Sequence, residues 1–98
     1  MASNSIQDWK ATKIKLLEDQ SQQIRDEIEA IERDYDARID DVLVAIEDVE
    51  VADQQAVELS QAQMLKIEEA QKALSVKQRR IESYRFSRIQ MRLPLGLL

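Results

Sequence analysis

From Met1 to Leu93 the chain contains neither glycine nor proline; its single Pro and single Gly, Pro94 and Gly96, fall within the last five residues. Compact domains place these two residues at chain reversals, so a sequence without them has room for very few turns. It predicts one very long helix or two long ones. A helical rod of 98 residues cannot enclose a core of its own, and its apolar stripe has to be covered by another helix. Hydrophobic residues at 44%, charged residues at 34% and four aromatics (Trp9, Tyr35, Tyr84, Phe86) fit coiled-coil composition better than disorder.

The apolar residues Ile14, Leu17, Ile24, Ile28, Ile31, Tyr35, Ile39, Val42 and Ile46 recur at threes and fours, with polar Ser21 filling the one gap. This is a heptad seam with a stutter at 31, 35 and 39, where two spacings of four follow one another. A second seam runs through Ala56, Leu59, Met64, Ile67, Ala70, Leu74, Ile81 and Tyr84. If the chain folds back, facing residues have numbers that add to a constant. Trp9 with Ile89, Ile14 with Tyr84, Leu17 with Ile81, Ile24 with Leu74, Ile31 with Ile67, Ile39 with Leu59 and Ile46 with Ala52 all add to 98, while Tyr35 with Met64 misses by one. The same register sets Glu18 against Arg80 and Glu32 against Lys66.

The fold expected is therefore all-α: a long antiparallel helical hairpin, a two-helix coiled coil packed in an oligomeric bundle, with its turn near residues 47–52. The alternative is one continuous helix, about 130 Å long at 1.5 Å per residue, in a parallel coiled coil. Ser5, with Asp8 three residues on, predicts a capping-box start, giving an arm at 1–4, a first helix at 5–47, a turn at 48–52, a second helix at 53–92 capped by Asp53, and a tail at 93–98. The missing glycine argues against the hairpin, because helices commonly end on a left-handed residue that costs others on the order of 1 kcal/mol.

Three groups of residues are candidates for binding. The seam itself (Ile14, Leu17, Ile24, Ile28, Ile31, Tyr35, Ile39, Val42, Ile46, Leu59, Met64, Ile67, Leu74, Ile81 and Tyr84) is expected to mediate self-association. Val42, Leu43, Val44, Ala45 and Ile46 form an unbroken apolar run that encircles the helix, more than one partner helix can cover. After residue 88 the period changes to alternation: Ile89, Met91, Leu93, Leu95 and Leu97 are interleaved with polar or breaker residues, and Pro94 blocks further helix. These, with Arg88 and Arg92, predict a tail that docks in extended form on at least one other protein.

Charge is uneven. Residues 1–50 hold six Lys/Arg against fourteen Asp/Glu, and residues 51–98 eight against five, so the halves carry −8 and +3. Lys72, Lys77, Arg79, Arg80, Arg85, Arg88 and Arg92 form a basic pole interrupted only by Glu82. A solvated face or an acidic protein partner is the expected meaning of this pole; nucleic acid is the lesser alternative, since the chain is acidic overall.

The chain has no histidine and no cysteine, which removes the commonest general base, the usual nucleophile pairs and the nitrogen and sulfur ligands of zinc. No enzymatic activity, cofactor or metal is expected. Asp34, Asp36, Asp40 and Asp41 lack the alternating ligands and glycine of a calcium loop. No signal peptide or membrane span is read, and a virion or the cytoplasm is the favoured location.

The size and hairpin pattern resemble small secreted helical-hairpin proteins with a Trp-x-Gly turn and the needle subunits of contact-dependent secretion, but Trp9 lies far from the turn, which carries neither Trp-x-Gly nor a proline-bracketed loop. Bacteriophage scaffolding proteins and fibre stems are similar in being small, charged and helical. The function expected is a non-enzymatic, self-associating structural or assembly subunit of a larger particle, a phage or virus virion component of fibre, connector or scaffold type. A coiled-coil adaptor or stalk of a secretion or motor complex is the alternative, and a nucleic-acid-binding accessory using residues 72–92 the second alternative.

Overall fold

The computed structural model describes the backbone of residues 2–86 and the side chains of residues 5–86. Two α-helices account for nearly all of it: α1, Ala2–Ala45, and α2, Val49–Phe86. They form a helical hairpin. The chain divides into two compact units: one runs from Gln23 to Leu74 and contains the turn, and the other sets α1 up to Gln22 against the part of α2 that begins at Ser75.

The turn is shorter than the sequence suggested and falls earlier, with only residues 46–48 leaving helical geometry. Its chemistry lies in Asp48. The Asp48 carbonyl accepts the first bond of α2 from the Ala52 amide at 2.9 Å, and its Oδ1 accepts the amides of Glu50 (3.0 Å) and Val51 (3.3 Å). Asp48 is thus the N-cap, satisfying amides that have no partner within the helix. Asp53, expected in that role, lies a turn inside α2. No described residue other than glycine has a positive φ, so the reversal is made without the left-handed residue whose cost argued against a hairpin. Asp48→Ala should lower stability by about 1 kcal/mol. The measurement is a urea midpoint at fixed protein concentration, with the slope unchanged; an unmoved midpoint would remove the cap from the account.

At the other end α1 begins at Ala2, so Ser5 lies within the helix rather than capping it, and residues 2–4 are not a separate arm. Ala2 is a strong helix former and no breaker separates it from Ser5, so nothing local stops the helix there. Residues 87–98, which include the end of the expected second helix, lie outside the described residues.

The described positions expected in the seam are buried or half-buried, with three corrections. In the unit that contains Leu17, that residue and Ile81 are buried, and Ser21, 1% exposed, sits beside them. The Ser21 hydroxyl donates to the Leu17 carbonyl at 2.8 Å, which satisfies a polar group in an apolar stripe without any partner across the pair. Contacts across this unit straddle the expected register: Trp9 meets Tyr84 and Glu18 meets Arg85, pairs adding to 93 and 103, on either side of 98. The second contact is the first correction, since Glu18 pairs with Arg85 (3.3 Å) rather than with Arg80; both side chains are half-exposed, so the pair adds little stability.

In the unit that contains the turn, Tyr35 and Ala52 are buried. Met64, assigned to the seam, is instead 58% exposed. A constant of 98 puts Gln63 opposite Tyr35, and one residue is about 100° of helix, enough to turn Met64 outward. Gln63 Nε2 donates to the Glu32 carbonyl (3.3 Å) and to Asp36 Oδ1 (3.1 Å). Lys66, expected against Glu32, lies with its Nζ 5.4 Å from the centre of the Tyr35 ring, and the Arg38 guanidinium is 5.1 Å from the same ring.

Candidate functional site

Two surfaces stand out, one in each unit. The first surrounds the turn. Val42 and Ile46 are half-buried, whereas Leu43, Val44 and Ala45 face solvent, so the two ends of the apolar run face α2 and its middle does not. Val49 and Val51, from the first turn of α2, join the exposed residues. Val44 is 85% and Val49 70% exposed, high values for aliphatic side chains beside one short turn. Around them stand Asp40, Asp41, Glu47, Asp48, Glu50 and Asp53, and residues 40–53 contain no Lys or Arg. The surface is apolar and uniformly acidic. An open cleft of about 590 Å³ beside it is lined by Arg38, Asp41, Val42, Gln55, Glu58 and Leu59.

The second surface is a groove of about 440 Å³ lined by Trp9, Lys13, Leu16, Leu17, Gln20, Lys77, Arg80 and Tyr84. Its aromatic pair packs edge to face, with ring centres 5.6 Å apart and planes at 78°, a favourable arrangement of the two ring quadrupoles. Lys13 Nζ lies 5.8 Å from the Trp9 ring centre, which holds the ammonium at the edge of the groove. Among the described residues, Lys13, Lys77 and Arg80 give the lining three cations and no carboxylate. Trp9 and Leu16 remain about half exposed, so the groove offers apolar surface together with positive charge.

Sequence reasoning found part of each surface. It named the run 42–46 but not Val49 and Val51, which β-branched composition just past the turn marks out. It named Lys77 only as a member of a basic pole and Arg80 as that and as the residue opposite Glu18, and it missed Leu16 and Lys13. The signal was there: Trp9 and Leu16 are seven residues apart, a heptad spacing of their own along the border of the seam. The expected docking residues Arg88, Ile89, Met91, Arg92, Leu93, Leu95 and Leu97 lie outside the described residues. No described helix is long and apolar enough to cross a membrane. No family model, curated protein or solved structure matches the chain, so the functional reading rests on its own residues.

Proposed function

We propose that the chain is a non-enzymatic assembly subunit, a helical hairpin that associates with further copies of itself and takes part in a larger particle of the virion fibre, connector or scaffold type. The observation that supports this reading is a seam covered on one side only. Among the described residues the buried hydrophobic side chains are Leu17, Tyr35, Ala52 and Ile81. Ile14, Ile24, Ile28, Ile31, Ile39, Leu59, Ile67 and Leu74 are left half-buried. Burial of apolar area contributes roughly 25 cal/mol per Å², and a two-helix layer that leaves this many large aliphatic side chains partly wet gains more by adding helices than by standing alone. The lack of histidine and cysteine is in keeping with a role that needs no chemistry.

Sedimentation mass tests the reading on the full chain and on a form lacking residues 93–98. Each should sediment as a multiple of its own chain mass, 11.4 kDa for the full chain, with the same helicity, because the deleted residues lie outside the seam. Only the full chain should be incorporated into the native particle, since the alternating apolar tail is the segment proposed to dock on another protein. A monomer at all concentrations would overturn self-association, and normal incorporation of the shortened chain would overturn the role of the tail.

A further inference from the structure

The two surfaces are complementary to each other. The turn presents Val44 and Val49, largely exposed, among Glu47 and Glu50. The groove presents exposed Trp9 and Leu16 among Lys13, Lys77 and Arg80, with no acid among the described residues of its lining. We propose that the acidic, valine-rich turn of one copy docks in the basic, aromatic groove of a second copy. Apolar side chains from both would leave water together, and Glu47 and Glu50 would meet Lys77 and Arg80 at the rim, where opposite charges set orientation and partner choice.

This contact differs in kind from the seam. Side-by-side packing of hairpins covers the seam and can end in a closed bundle. A turn-to-groove contact joins two different patches, so each added copy leaves one patch of each type open, and the association propagates until it closes as a ring or continues as a filament. The inference rests on the reading of the chain as a self-associating subunit, but it assigns a second interface with its own residues and its own salt dependence. Rim charges are screened as ionic strength rises, since the Debye length falls from about 10 Å at 0.1 M to about 3 Å at 1 M, whereas apolar burial at the seam is not weakened in this way.

The test is a reciprocal charge exchange, followed by light scattering and sedimentation on full-length protein. One variant carries Lys77→Glu and Arg80→Glu, the other Glu47→Lys and Glu50→Lys; none of these is the capping Asp48. The unmodified chain should form species at low salt whose mass rises at least several-fold with concentration, and these should fall back at 1 M salt to the small oligomer that the seam holds. Each variant alone should show only the small oligomer, because the rim positions proposed to meet, 47 and 50 on the turn and 77 and 80 on the groove, then carry the same sign. An equimolar mixture should regain growth, since each variant's turn now matches the other's groove. If the first variant loses helicity, Lys77→Gln with Arg80→Gln replaces it, with growth lost and not regained on mixing. Growth by either charge-exchanged variant alone, failure of their mixture to grow, or absence of growth by the unmodified chain at low salt would overturn the proposal. So would nucleic acid that co-purifies with the unmodified chain and is lost in the groove variant alone. A small oligomer retained in every variant keeps the seam reading intact, so the two failures are separable.

Discussion

Ile67→Asp is expected to abolish helicity and self-association together, with an effect that grows as the seam closes. The register expected from the sequence sets Ile67 opposite Ile31 in the unit that contains the turn, and both are half-buried. In a lone hairpin the new carboxylate could keep one side in water, and the loss would be about half the 1.5–3 kcal/mol of a fully buried aliphatic side chain. In a bundle that covers the open side of the seam, the same carboxylate has no partner and no solvent, and the cost rises to about 3–5 kcal/mol. That is a large part of the 5–15 kcal/mol that holds an ordinary domain together. Circular dichroism and sedimentation across a concentration series separate the two cases. A mutant that remains helical but monomeric would place Ile67 at an interface between hairpins, and one that keeps both helicity and mass would mean that the seam runs along another face.

The hairpin was legible because a heptad seam is a periodic signal, and two seams with mirrored phase fix a register. Pairs such as Leu17 with Ile81, buried together, follow from arithmetic on apolar positions alone. Met64 was misassigned because the search for an apolar partner for Tyr35 overrode that arithmetic, which pointed to Gln63. The polar residue works there because its amide finds Asp36 and the Glu32 carbonyl, and no hydrophobicity pattern reveals such a partner. The turn was legible as a region but not as a geometry. The mirrored register placed the turn near 47–52, yet either Asp48 or Asp53 could have served as a cap, and the choice depends on which one's backbone leaves the helix. The basic groove was the least legible feature. Lys13, Leu16 and Gln20 come from α1 and Lys77 and Arg80 from α2, and their convergence needs the rotation of both helices as well as the register.

Tyr35→Ala should be the most damaging truncation in the hairpin, at about 3–5 kcal/mol, the usual cost of removing a large buried aromatic ring. Tyr35 stands at the stutter, where two successive steps of four shift the seam sideways across the helix face and leave a space that a branched aliphatic fills less well. The ring is buried, and it carries two cations, Arg38 at 5.1 Å and Lys66 at 5.4 Å. Each such contact is worth about 0.5–1 kcal/mol at sites open to solvent, so volume, not charge, is expected to dominate. Tyr35→Leu distinguishes the two, because it keeps most of the packing and removes the ring face; it should cost about 1–2 kcal/mol. Urea midpoints of the three proteins at one concentration provide the comparison. Equal losses for alanine and leucine would mean that the two cations, and not the filled space, make Tyr35 indispensable. The Arg38 and Lys66 side chains would then be the next to truncate, each expected to reproduce part of the leucine loss.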